Sequence, residues 1–261
     1  APVSAQREVA RSAQHYRLNR LFNAESGRVL DVAVDHGLFG EPAFLTGIEN
    51  MSTVIETLVR AGPDAIQLAP GQAPLLQAMP GKTKPALVMR TDVANVYGDP
   101  LDSHLFSIAF PDAIEQAVRL DAAAVCVNLL HLPGRPEIRE ACIRAIMALR
   151  RPATAHGMPL MVEPLVMQDN AVTGGYQVDG TTSKVVSLVR QARELGAAGH
   201  PAGGQPSRAR GDQHQHERAD KRRHGQHQQG DRADRARGHR LRARRRHDRR
   251  RQADEKRQQQ R

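Results

Sequence analysis

Short apolar runs, each closed by polar residues and a turn, alternate with amphipathic stretches from Arg28 to Gly196. Val29–Val34 is a β-branched run that predicts one strand buried on both faces. It stops at Asp35-His36-Gly37, two polar side chains and a residue that permits a tight turn. A loop broken by Gly40, Pro42 and Gly47 follows. Met51, Val54, Ile55, Leu58 and Val59 then fall at helical spacing until Gly62-Pro63 ends the helix.

The unit recurs. Residues 64–68 read as a second strand with a brief helix near 73–78, and residues 86–90 as a third. The third runs through Thr91-Asp92 into a long loop containing Asn95 and Tyr97. Asp112 follows Pro111 at the start of the next helical pattern, where an acidic side chain favours the first turn. Residues 124–130 give a fourth strand that leaves through His131, and Pro136 opens a helix with Ile138, Cys142, Ile143, Ile146 and Leu149 on one face. Residues 160–164 are the fifth strand, and residues 183–195 the fifth helix, with Gly196 as its C-cap. Residues 1–26 suggest a leader with a short amphipathic helix around Tyr16, Leu18, Leu21 and Phe22.

Strand–helix alternation argues for a parallel α/β fold. No Gly-x-Gly-x-x-Gly follows the first strand, which counts against a dinucleotide-binding doubly wound sheet. The expectation is therefore a (β/α)8 barrel of the TIM type with about five β/α units present, over residues 27–196.

Charge divides the chain. Residues 197–261 carry 20 Lys+Arg and 8 Asp+Glu out of 38 and 28 in all, which leaves residues 1–196 with 18 and 20. That tail holds Leu241 as its one large aliphatic residue, so it is expected to be a disordered basic arm. Two origins fit it. Arg244-Arg245-Arg246 and Arg249-Arg250-Arg251 suit nonspecific contacts with nucleic-acid phosphates. Alternatively the abrupt loss of pattern, where a sixth strand is due, suits a GC-rich gene read out of frame. Cys126 and Cys142 have no metal-ligand spacing and read as free thiols of a reducing compartment, here the cytoplasm. No apolar stretch approaches the roughly 20 residues needed to span a bilayer.

Polar groups at the carboxyl ends of parallel barrel strands line the mouth where such folds bind substrates. They are Asp35 and His36, Gln67, Arg90 with Thr91 and Asp92, Asn128 with His131, and Glu163. Asp35 and His36 are the candidate catalytic residues, Asp35 as acid or base and His36 as a group that orients it or a substrate oxygen, with capping or packing as the plainer role of His36. Gln67, Arg90, Asn128, His131 and Glu163 are candidates for substrate contact. Plainer alternatives stand beside these: Asp35 as a helix cap, and Arg90 in a structural ion pair with Asp92 or Glu163. A metal reading would use Asp35, His36, His131 and Glu163, although no tight ligand spacing supports it.

These pieces resemble the class I aldolases of the archaeal-type fructose-bisphosphate aldolase and deoxyribose-phosphate aldolase group. The matching stretches are Val34-Asp35-His36-Gly37, Ala61-Gly62-Pro63-Asp64-Ala65, and residues 112–120 followed by Ala123-Ala124-Val125. Gly157-Met158-Pro159-Leu160 and residues 192–197 match as well. The resemblance implies a lyase acting on a small sugar-like substrate without a cofactor, in a homo-oligomer, with Asp35 in acid/base or hydroxyl contacts. It also implies a Schiff-base lysine on strand six. After Leu195-Gly196-Ala197 the chain departs from that pattern, and the lysine is absent; Lys82, Lys84 and Lys184 sit at loop or helix-start positions. The chain as written is thus expected to be inactive. A tyrosine that the resemblance places near the end of strand four is replaced by Leu129, Leu130 and His131.

Overall fold

A computed structural model describes residues 3–97, 105–172 and 175–198. Five parallel strands stand side by side in chain order: β1 (Asp31–Ala33), β2 (Ala65–Leu68), β3 (Ala86–Arg90), β6 (Ala124–His131) and β7 (Leu160–Asp169). Between them run α2 (Met51–Ala61), α3 (Ala73–Gln77), α4 (Ala113–Arg119) and α5 (Pro136–His156), with α6 (Thr182–Glu194) after β7. The sheet curls into half of a barrel, as five successive β/α units require.

β2, β3 and β6 enter the sheet by donating a backbone N–H to a carbonyl at the start of the preceding strand. β7 enters by accepting from the Val125 N–H at Pro159 O (3.0 Å), and Ala198 after α6 donates in the same way to β7. Ala65 donates to Leu30 O at 3.1 Å, Ala86 to Asp64 O at 2.9 Å, Ala123 to Leu87 O at 2.8 Å, and Ala198 to Leu160 O at 2.8 Å. Ala198, the last residue described, thus occupies on the far edge of β7 the place where a sixth parallel strand would join. Leu160 O and Val166 O both point to that edge, where they accept from Ala198 and Asp179. By alternation Val162 and Pro164 point there too, and proline suits an edge because it has no N–H to leave unpaired.

The strands alternate sharply between two environments. Ile66, Leu68, Leu87, Met89, Val125, Val127, Leu129 and Leu160 face outward and form the main core with the helices. Ala65, Ala86, Val88, Ala124, Cys126 and Met161 face inward and are closed below by Leu18 and Leu21 of α1 (Val3–Leu21). The amino-terminal helix is therefore a long plug across the bottom of the half-barrel. Arg17 fixes it by donating to His156 O and Gly157 O, and Arg20 by a bidentate pair with Asp121.

Local signals explain the helix ends. Asn50 accepts from the Thr53 N–H at the start of α2, and Gly62 ends it at φ 69°, a conformation that favours glycine. At α4 the acid adopts another role: Asp112 sits at φ 51° before the helix and makes no side-chain cap.

Three expectations need correction. β1 is shorter than Val29–Val34 and is not buried on both faces; Leu30 is 61% exposed because β1 lies at the sheet's outer edge. The long loop after Arg90 contains an antiparallel pair, β4 (Asp92–Asn95) and β5 (Phe106–Ala109). The fifth strand does not stop at Pro164 but runs to Asp169 and pairs back with β8 (Tyr176–Val178). The basic tail, with its expected disorder, its origin and its nucleic-acid contacts, lies outside the described residues from Gly199 onward. Cys126 and Cys142 are free and buried. No helix of the described residues is long and apolar enough to cross a membrane.

Candidate active site

Above the apolar floor the inward positions turn polar. Gln67 lies next to the end of β2, Arg90 ends β3, Asn128 lies on β6 and Glu163 on β7, while Asp35 follows β1. The pairing sets Arg90 beside Cys126 and Asn128 beside Glu163, which brings the ends of all five strands toward one guanidinium. Arg90 Nε donates to Asp35 Oδ2 at 2.6 Å, and Gln67 Nε2 donates to the same oxygen at 3.1 Å. Arg90 Nη2 donates to Glu163 Oε2 at 2.6 Å and Nη1 to Asn128 Oδ1 at 3.1 Å. Asp92 Oδ1 stands 3.5 Å from Nη1, and Asp92 Oδ2 accepts from the Asn128 backbone N–H at 3.0 Å.

This is a buried network. Asp35, Gln67, Arg90, Asp92 and Asn128 are all shut away from solvent, and Glu163 alone keeps a side chain 36% exposed. Burial disfavours the Arg90 charge, but the carboxyl groups of Asp35, Glu163 and Asp92 offset it and hold the guanidinium well above its ordinary range. Burial raises the Asp92 carboxyl against the pull of Arg90 and the Asn128 N–H. It also keeps the Cys126 thiol protonated, so that its S–H points to Glu163 Oε2 at 3.8 Å. Phe39, in the turn after Asp35, lies over the guanidinium with its ring centroid 5.7 Å away. Phe39, Phe44 and Tyr97 pack edge to face around that position. A cleft of about 670 Å³ opens beside Asp35 between the loops after β1 and β2, with Leu38, Glu49, Gln72, Phe110 and Gln116 among its walls.

The structure therefore gathers Asp35, Gln67, Arg90, Asn128 and Glu163 in one place. It leaves out both histidines. His36 begins a turn of 3-10 helix, half-buried, with its ring 5.9 Å from Phe44. His131 is exposed at the end of β6, with Nδ1 3.4 Å from Arg139 Nη1. Partial burial, Arg139 and Lys184 push its pKa down. Asp35 does not cap the turn that follows it, which removes the capping alternative. The ion-pair alternative for Arg90 holds with Asp92 and Glu163 alike. Among the described residues no three His, Cys, Asp or Glu side chains gather to hold a metal.

One acid escaped the sequence reading. Asp31 is half-buried on β1, and its Oδ1 is closed off from solvent with no hydrogen-bond partner among the described residues. Burial, then Asp35 and Glu163, raise its carboxyl to about 7, with Arg90 opposing. The available signal was the two-residue period, which puts positions 31, 33 and 35 on one face of a strand.

Polar side chains converge here at the carboxyl ends of parallel strands, above a packed floor, the place where α/β barrels bind their substrates. Comparison with known proteins narrows the class. Residues 29–198 match the DeoC/LacD family of aldolases, and the chain belongs to that family. It is 31% identical over 186 residues to an uncharacterized aldolase of Saccharolobus solfataricus, covering 69% of this chain and 64% of the relative. It is 29% identical over 182 residues to the 3-hydroxy-5-phosphonooxypentane-2,4-dione thiolase of Klebsiella pneumoniae, covering 69% and 55%. The chain thus spans less than two thirds of these relatives. The crystal structure of a Corynebacterium glutamicum protein superposes with a TM-score of 0.52 at 16% identity, over 75% of this chain and 70% of that one, a likeness of fold.

Proposed function

We propose that the protein is an aldolase-type lyase that breaks or forms a carbon–carbon bond in a small sugar-like aldehyde or ketone. The observation that carries this reading is the placement of Asp35. It is read as an acid or base at the barrel mouth, held by Arg90 Nε and Gln67 Nε2 on one oxygen, with the other free of hydrogen-bond partners among the described residues. A carboxylate so fixed can accept a proton from a substrate hydroxyl, and its orientation costs nothing at the moment of reaction. Arg90 and Gln67 then orient Asp35, while Asn128 and the partly exposed Glu163 meet the substrate's polar groups. His36 and His131 stand outside that arrangement.

The covalent half of class I chemistry needs an amine. Through Ala198 the chain has Lys82, Lys84 and Lys184. Lys84 donates to the carbonyls of Leu76, Gln77 and Met79, and Lys184 pairs with Asp179 at 2.7 Å. Lys82 is exposed in a turn. None lies in the polar layer. We infer that the chain as written does not form a Schiff base and that its tail results from a shifted reading frame. The test is to sequence the coding DNA across the codons for Leu195 to Pro206 and to express both the present chain and any frame that restores further strands. Borohydride in the presence of dihydroxyacetone phosphate should leave no covalent adduct on the present chain, and an adduct on a restored protein would locate the family's lysine there. An adduct on the present chain would overturn the inactivity; a gene with no hidden strands would overturn the frame shift.

A further inference from the structure

The polar layer carries more negative than positive charge. Asp35, Asp92 and Glu163 stand within 3.5 Å of one guanidinium, and Asp31 of β1 adds a fourth carboxyl four residues before Asp35. A single buried cation does not hold four ionised carboxylates; like-charge repulsion and desolvation favour a proton on the least compensated of them. The contacts identify it. Asp35 has Arg90 Nε and Gln67, Asp92 has Arg90 Nη1 and the Asn128 N–H, and Glu163 has Arg90 Nη2 and open solvent. Among the described residues no ion pair reaches Asp31, and its Oδ1 finds no donor. It also sits lower than the others, in register with Ala65, which pairs in turn with Ala86 of the apolar floor.

We propose that Asp31 is the proton-holding positioning residue of this site: as a neutral acid it leaves Arg90 to Asp35 and Glu163, and on ionising it draws the guanidinium toward the floor and loosens Asp35. The only bond broken is the Asp31 O–H, and the proton passes to solvent. The charged groups that face it are Asp35 on its own segment, Arg90 on β3 and Glu163 on β7. Because their combined effect places the carboxyl at about 7, the change falls in the neutral range. Asp92, also raised by burial, is the rival holder of the proton. The inference rests on reading the polar layer as the site, but its test reads proton occupancy and not catalysis, so either can fail without the other.

The experiment is an NMR titration of the full chain, with labelled Asp and Glu carboxyl carbons and labelled arginine, from about pH 5 to about pH 9. One carboxyl should titrate with a midpoint near 7, and the Arg90 Nε–H signal should move with the same midpoint. Both transitions should vanish in Asp31→Asn and persist in Asp92→Asn. A high midpoint that survives Asp31→Asn, or that disappears in Asp92→Asn, overturns the assignment. So does an Arg90 signal that stays constant while Asp31 titrates. If Asp31→Asn fails to fold, Asp92→Asn alone still decides which acid holds the proton.

Discussion

The floor and the polar layer of the half-barrel lie a few residues apart on the same strands and meet burial in opposite ways. The floor uses alanines, Val88, Cys126 and Met161, sealed by Leu18 and Leu21 of α1, and asks nothing of hydrogen bonding. The layer above it buries Asp35, Arg90, Asp92 and Asn128 and leaves Oδ1 of Asp35, Oδ1 of Asp92 and Nδ2 of Asn128 without hydrogen-bond partners among the described residues. The floor contributes stability through excluded water, whereas the layer spends part of that stability on unmatched polar atoms. Such atoms are costly to bury, and a role in function is one reason for a fold to retain them.

Removing Arg90 should break the comparison most severely. Arg90→Met leaves three nearby carboxylates without their cation and should cost about 3–5 kcal/mol, the usual penalty for stripping one partner from a buried pair. A urea unfolding curve would show the loss, and adding Asp35→Asn should restore part of it. No loss of stability in Arg90→Met would mean that the network is not formed in solution.

Asp31→Asn should act in the other direction. The folded-state pKa of about 7 lies above the ordinary 3.8, so the native chain holds more protons than the unfolded one between those values. Stability from this group is therefore complete below about pH 4 and is lost as pH rises to about 7. The neutral amide avoids that loss, so the variant should gain roughly 2–4 kcal/mol over the parent at pH 8 and almost nothing at pH 4. A gain that does not grow with pH would refute the assignment.

Gly157→Ala tests the floor alone. Gly157 lies at φ 57°, and a Cβ there would run into Ala10 O and meet the Ala13 side chain at 2.8 Å. The strain and the displaced helix together should cost about 2 kcal/mol. Limited proteolysis should then cut within α1 first, while the Arg90 Nε–H signal stays in place.

Much of this was legible in the sequence because parallel strands buried on both sides announce themselves as apolar runs ending in polar residues. Asp35, Gln67, Arg90, Asn128 and Glu163 were all found that way. His36 and His131 shared the signal but not the geometry. Inward positions on β6 are 124, 126 and 128, so residue 131 falls on the outward parity, and His36 is carried off by the turn after Asp35. Asp31 was hidden for the converse reason: an acid at the start of a strand reads as its boundary until the neighbouring strands place it inside. The β4–β5 pair was missed because its four-residue strands lack the long alternation that marks a hairpin.

The Arg90 bonds also have a bearing on how the molecule is assembled in time. They join residues 38, 55 and 73 positions apart, so none closes until most of the parallel sheet has been threaded. Loop closure over such separations is slow to be rewarded, and contacts of this kind form late. The charged layer would then act as a latch set after the floor has collapsed. Losing Arg90 should hasten unfolding far more than it slows folding.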